Sequence, residues 1–94
     1  MIETKIEVIG KMPPFYQIAE TLWGKGVDVD SDGNSNTPQS TDWNELTLIL
    51  RSDTDQRIDI DPLDNNENYL LLRASNKELS TKTMAYLKEC GVTA

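Results

Sequence analysis

Two segments with alternating apolar residues, separated by a polar turn, constrain the fold more than any other part of the chain. Leucines occupy alternate positions in the strand predicted from Trp43 to Arg51, and isoleucines do so in the strand predicted from Arg57 to Asp61. The sequence SDTD at 52–55 is typical of a turn. Together these segments predict an antiparallel β-hairpin with one apolar face, and that face has to be buried under another element.

Periodicity predicts the other elements. Two prolines at 13 and 14 suit the first turn of a helix, and apolar residues then follow at spacings of three and four. Ser75 and Glu78 have the spacing of a capping box, which predicts the start of a second helix. The residues Asp64, Asn65 and Asn66 predict a turn. The predicted strands are 2–9, 27–30, 43–51, 57–61 and 69–73, and the predicted helices are 13–23 and 76–90.

This order of elements predicts an α+β fold with a single domain spanning 1–94. The order is β-α-β-β-β-β-α, or β-α-β-β-β-α if 27–30 is not a strand. Two amphipathic helices and a mostly antiparallel sheet of four or five strands fit a two-layer sandwich with both helices on one face. The opposite, polar face of the sheet is predicted to carry Glu3, Lys5, Glu7, Thr47, Arg57, Asp59 and Asp61.

The negative charge of the chain is concentrated in its middle. The formal net charge is −7, and every aspartate lies between Asp28 and Asp64. Such a segment attracts cations or basic protein surfaces and repels the phosphates of nucleic acids. Binding to DNA or RNA is therefore not expected, since the basic stripe that it needs is missing.

The remaining composition predicts a cytoplasmic protein without membrane contact. No apolar run approaches the roughly 20 residues that span a bilayer, and the N-terminal residues lack the pattern of a signal peptide. The chain has one cysteine, Cys90, so it forms no internal disulfide. Neither a partner's identity nor an oligomeric state follows from the sequence.

Catalysis is not expected. The chain has no histidine, which removes the commonest general base and transition-metal ligand. It has no glycine-rich phosphate loop and no nucleophile elbow. The protein is therefore predicted not to be an enzyme.

The first functional hypothesis is a small, acidic, non-catalytic protein-binding module. Inhibitor and immunity proteins that act on nucleases place carboxylates where substrate phosphates would bind, which gives fast, salt-sensitive association. The size and charge of this chain suit a protein of that type that docks on a basic partner. The candidate carboxylates are Asp53, Asp55, Asp59 and Asp61, and the candidate aromatic anchors are Trp43 and Tyr69.

The second hypothesis is a weak calcium site in the sequence DVDSDGN, and calcium would then be the only cofactor. The stretch resembles the first half of the calcium loop of the EF-hand family, which places oxygen ligands at alternate positions and a glycine at the sixth. It departs from that family at Gln39, where a bidentate glutamate is usual. The alternative interpretation is a solvated hairpin loop. The candidate ligands are Asp28, Asp30, Asp32 and Asn34, and Asn36 would occupy the next ligand position.

Overall fold

The computed structural model describes residues 1–35, 37, 39–63 and 66–94, and it describes the side chains of these residues except those of 66 and 67. The order of elements is β-α-β-β-β-β-α, and the fold is α+β, as the sequence predicts. The elements are β1 (Ile2–Glu7), α1 (Phe15–Trp23), β2 (Val29–Gly33), β3 (Leu46–Leu50), β4 (Arg57–Leu63), β5 (Asn66–Ala74) and α2 (Lys77–Glu89).

The five strands form one antiparallel sheet in the order β1-β5-β4-β3-β2. Strands β2 to β5 follow one another as a meander, and β1 pairs with β5 at the far side. The hairpin predicted around residues 52–55 is confirmed, because Leu48 faces Ile58 across β3 and β4. Strands β1 and β2 are therefore the two edges of the sheet.

Both helices pack on one face of the sheet. α2 contacts β5, β1 and β4, α1 contacts β3, and the two helices contact each other. The apolar face of the sheet is thereby removed from water, which is the main stabilising contribution in a fold of this kind. The fully buried side chains of this core include Ile6, Ile18, Leu48, Ile58, Ile60, Leu70, Leu72, Leu87 and Val92.

The start of α2 differs from the sequence prediction. The cap of α2 is Asn76, whose side chain accepts from the Leu79 N–H at 2.9 Å, and not Ser75. The Ser75 hydroxyl instead accepts from the Arg57 N–H at 3.0 Å. Serine and asparagine can both accept a hydrogen bond from a backbone N–H at a helix N-terminus. Here the pairing of β4 with β5 brings the Ser75 hydroxyl to Arg57, so Asn76 caps the helix. Of the turn predicted at Asp64, Asn65 and Asn66, the first two residues lie outside the described residues, and Asn66 begins β5 instead.

Trp43 belongs to the core and not to the surface. Its side chain is 4 % exposed, and its indole N–H donates to the Pro13 carbonyl at 2.8 Å. This bond joins the segment before β3 to the segment before α1. The proposed role of Trp43 as an aromatic anchor for a partner is incompatible with this burial, because the ring has almost no surface to offer.

The hydroxyl of Thr83 is a buried polar group in α2. Thr83 is 0 % exposed, and its Oγ1 has no hydrogen-bond partner among the described residues. Burying a hydroxyl without a partner destabilises the folded state. We therefore expect Thr83→Val to raise the free energy of unfolding by about 1 kcal/mol, measured by urea denaturation.

Thr81→Val is the matched control for that substitution. Thr81 lies on the exposed side of the same helix, so the same change there should alter the free energy of unfolding by less than about 0.5 kcal/mol. A loss of stability in Thr83→Val would show that the Thr83 hydroxyl has a partner.

Candidate functional site

The sheet face opposite the helices, here called the open face, carries the polar residues of the sequence prediction. The strand register places its residues in rows that cross the sheet, so that Glu3, Arg73, Asp59, Thr47 and Asp32 follow one another from edge to edge. The open face comprises Glu3, Lys5, Glu7, Asp30, Asp32, Thr47, Ile49, Arg57, Asp59, Asp61, Tyr69, Leu71 and Arg73.

Asp59 lies at the centre of the open face and is held by three neighbours. It is 8 % exposed. Its Oδ1 accepts from the Thr47 hydroxyl at 2.6 Å, and both of its carboxylate oxygens accept from the Arg57 guanidinium at 2.9 and 3.0 Å. Arg73 faces it from β5. Asp59 is therefore a neutralised, structural carboxylate and not a free binding charge.

The environment of Asp59 favours its ionised form. Burial opposes ionisation and is the largest single influence. The hydrogen bonds from Arg57 and Thr47, together with the charges of Arg57 and Arg73, outweigh it and hold the pKa of Asp59 below its usual value. The hydrogen bonds and charge of Asp59 in turn raise the pKa of Arg57. The pair remains ionised over the whole physiological range.

Two further arginines pair with carboxylates near the edges of the sheet. Arg73 Nε lies 3.1 Å from Glu3 Oε2, which joins β5 to β1. Arg51 lies 2.7 Å from Asp30 and 3.5 Å from Asp28, just beyond the end of β3. These groups are all about half exposed or more, so each pair contributes little to stability.

Asp53 and Asp55 lie in the turn between β3 and β4. The Asp53 carboxylate accepts from the Asp55 N–H at 3.2 Å and from the Gln56 side chain at 3.3 Å. The Gln56 side-chain oxygen accepts from the indole N–H of Trp23 at 2.7 Å, which ties the turn to the end of α1. Asp53 thus has a role in shaping the turn, whereas the Asp55 side chain is exposed.

Asp61 and Tyr69 lie at the other end of the open face. Asp61 is exposed and faces Leu71 across β4 and β5. The Tyr69 hydroxyl donates to Glu7 at 3.2 Å, and the Lys5 ammonium lies 4.2 Å from the centre of the Tyr69 ring. Tyr69 is half-buried, so part of its ring remains on the surface as an anchor would require.

The structure does not gather the four predicted carboxylates into one cluster. Asp61 lies four residues beyond Arg57 in β4, about 13 Å along the strand, whereas Asp53 and Asp55 precede Arg57 in the turn. Asp59 lies between them and is neutralised. In the described part of the chain, the acidic residues near this surface that form no ion pair are Glu7, Asp32, Asp53, Asp55 and Asp61.

The stretch proposed as a calcium loop forms a strand. Residues Val29–Gly33 are β2, paired with β3 throughout, so Asp30 and Asp32 alternate along an extended edge and do not wind around a centre. The Asn34 side-chain oxygen accepts from the N–H groups of Asn44 and Glu45 at 3.0 and 3.1 Å. The described residues contain no group of three or more Asp, Glu, His or Cys arranged to hold a metal ion. Asn36 lies outside the described residues.

Sequence reasoning missed the arginine partners of the aspartates. Arg57 and Asp59 are two residues apart on one strand, so their common face was visible in RIDID. The contribution of Arg73 depends on the β4–β5 register, which brings Asp59 opposite Arg73. That register is a property of the pairing between β4 and β5, and no local pattern in the sequence gives it.

Comparisons of the chain with models of protein families, with curated protein sequences and with solved structures found no match. In the part of the chain that the structure describes, no helix combines the length and the apolar character needed to cross a bilayer.

Proposed function

We propose that this protein is a small acidic protein-binding module that docks on a basic partner, in the manner of an inhibitor or immunity protein. The observation that supports the proposal best is the open face. Five strands present one surface on which neither α1 nor α2 packs. Exposed carboxylates, Asp55 and Asp61, flank this surface at both ends and form no ion pair with the described residues.

The centre of the open face is suited to contact by its rigidity. The hydrogen bonds among Arg57, Asp59 and Thr47 fix side chains that would otherwise be mobile, so less conformational entropy is lost when a partner covers them. The exposed carboxylates around this centre attract a positively charged surface over several ångströms. A half-buried Tyr69 adds an aromatic contact near Asp61.

The proposal is tested by retention of a partner on immobilised protein. We expect a basic protein from a soluble extract of the source cells to be retained at about 0.05 M salt and released at about 0.5 M, where charges are screened within a few ångströms. The double variant Asp55→Asn, Asp61→Asn should lose most of this retention, because it removes both flanking charges. Retention is measured by quantitative mass spectrometry.

The matched control is the double variant Glu78→Gln, Glu89→Gln. It makes the same change in net charge on α2, on the opposite side of the sheet. It should retain the partner as the unmodified protein does. Absence of any retained protein at low salt, or equal losses in the two double variants, would contradict docking through the open face.

A further inference from the structure

Strand β2 is an edge of the sheet, and its outer side pairs with no strand in the described part of the chain. The Arg51 N–H donates to the Asp28 carbonyl at 3.2 Å, and the Asn34 N–H donates to the Glu45 carbonyl at 3.2 Å. In an antiparallel ladder, these two bonds mean that the backbone N–H and C=O groups of the even-numbered residues from 28 to 34 point towards β3. The backbone groups of Val29 and Ser31 therefore point away from the sheet, and β2 pairs with no second strand among the described residues.

A groove runs along the helix side of this edge, between α1 and β2. It has a volume of about 270 Å³, and its walls are mainly apolar: Phe15, Ala19, Val27 and Val29. This volume is below the roughly 300–1,000 Å³ of pockets that enclose small molecules, so it suits one or two aliphatic side chains. The helix α1 lies over β3 and leaves the groove open beside the edge.

The charges around the edge define what can bind there. Asp30 and Asp32 point to the open face from β2, and Glu20 lines the groove from α1. A strand added to β2 would place alternate side chains beside these aspartates and the others in the apolar groove. The complementary sequence is therefore an alternation of basic and apolar residues.

A second copy of this chain fits the edge poorly. Antiparallel pairing of β2 with its own copy around Ser31 would place Asp30 directly opposite the copy's Asp32, twice in each interface. Like charges directly opposite each other destabilise strand pairing. Both carboxylates are exposed. Asp30 forms an ion pair with Arg51, and Asp32 forms none with the described residues.

We infer that β2 binds an extended segment of a partner protein, in which Lys or Arg alternates with aliphatic residues, as an additional strand of the sheet. Backbone hydrogen bonds to Val29 and Ser31 supply affinity, and the groove and the aspartates select the side chains. This inference rests on the proposed docking function and gives the chemistry of the segment that the partner contributes.

The test uses a fluorescent synthetic peptide of alternating lysine and valine, long enough to span β2, with binding measured by fluorescence anisotropy. Two control peptides carry the same lysines: one has proline at its central position, and the other has serine in place of every valine. We expect both control peptides to bind at least about tenfold more weakly. The first lacks a backbone N–H that would bond to β2, and the second has no apolar side chains to fill the groove.

Ser31→Pro in the protein should weaken binding of the lysine–valine peptide about tenfold, since it removes an outward N–H without removing a bond to β3. The matched control is Lys5→Pro on the other edge. The bond from the Val8 N–H to the Asn68 carbonyl shows that the Lys5 N–H also points outward, so binding at β2 should remain.

Equal binding of all three peptides would overturn the inference and leave charge-driven docking intact. Absence of binding, or equal effects of the two proline variants on a folded protein, would also overturn it. If Ser31→Pro does not fold, the peptide comparison alone decides. A dimer in sedimentation velocity that Ser31→Pro dissociates and Lys5→Pro does not would assign the β2 edge to a second copy and overturn the inference.

Discussion

Replacing Trp43 with alanine is expected to lower the free energy of unfolding by about 3–5 kcal/mol. The indole is 4 % exposed, so its removal opens a large cavity beneath the segment that leads into β3. It also removes the donor to the Pro13 carbonyl, which connects two segments 30 residues apart. Urea denaturation followed by circular dichroism measures the change.

Trp43→Phe separates the two contributions. It retains most of the apolar contact and loses the hydrogen bond, so we expect a cost of about 1–2 kcal/mol. A loss in Trp43→Ala of less than about 1 kcal/mol would mean that the ring is not part of the core, and the interpretation of Trp43 as a surface anchor would then return.

Replacing Asp59 with asparagine is expected to lower the free energy of unfolding by about 2 kcal/mol at neutral pH, because the charge-assisted bonds from Arg57 are weakened. The folded-state pKa of Asp59 is lowered, so its stabilising contribution is present above the unfolded-state pKa near 4. That contribution is lost as the pH falls through the lower, folded-state pKa. The difference between the two proteins should therefore shrink towards zero in acid.

Asp61→Asn is the control for this pH dependence. Asp61 lies on the same strand and the same face, but it is exposed and forms no ion pair with the described residues. Its substitution should change stability by less than about 0.5 kcal/mol at every pH, as measured by urea denaturation. A difference between Asp59→Asn and the unmodified protein that persists unchanged below pH 3 would show that the carboxylate's charge is not what stabilises the centre of the open face.

The pattern of apolar residues predicts most of this fold. Alternation in 46–50 and 57–60 depends only on burial of one sheet face, so it identifies β3, β4 and their pairing. The end of α2 is also determined by neighbouring residues in the sequence. Gly91 has a φ of 79°, and the Val92 N–H donates to Leu87 O at 3.0 Å, as a glycine stop followed by an apolar residue predicts.

Sequence patterns fail where one local motif has two structural solutions. Aspartates at alternate positions suit either a wound cation loop or an exposed strand, and pairing with Leu46–Leu50 selects the strand β2. Trp43 precedes β3 in the sequence, which does not show whether its ring is buried. The segment before α1 packs against it, and the indole N–H donates to the Pro13 carbonyl. The spacing of apolar residues predicts that Cys90 lies on the inward side of the second helix with Leu79 and Leu87. Its side chain is exposed, because α2 ends at Glu89 and Cys90 is its C-cap.

The candidate site is less predictable than the fold because charges are paired by tertiary contacts. The positions of the aspartates in the sequence predict that the surface is negatively charged, but they do not show which aspartates are neutralised by a neighbouring arginine. The proximity of Arg57 to Asp59 can be predicted from their spacing on one strand. Arg73 lies opposite Asp59 because of the pairing between β4 and β5, which their spacing in the sequence does not predict. Sequence reasoning therefore predicted an acidic surface and overestimated how many of its carboxylates are available.

The pairing of β1 with β5 has a consequence for biosynthesis. Ile2 lies opposite Ala74, so the first of the five strands to be synthesised is hydrogen-bonded to the last of them. The meander of β2 to β5 can assemble from neighbouring segments, but β1 stays unpaired until residue 74 has been translated. During this interval the nascent chain exposes Ile6, which is fully buried in the finished protein, so β1 is the strand of this sheet that stays open to wrong contacts for longest.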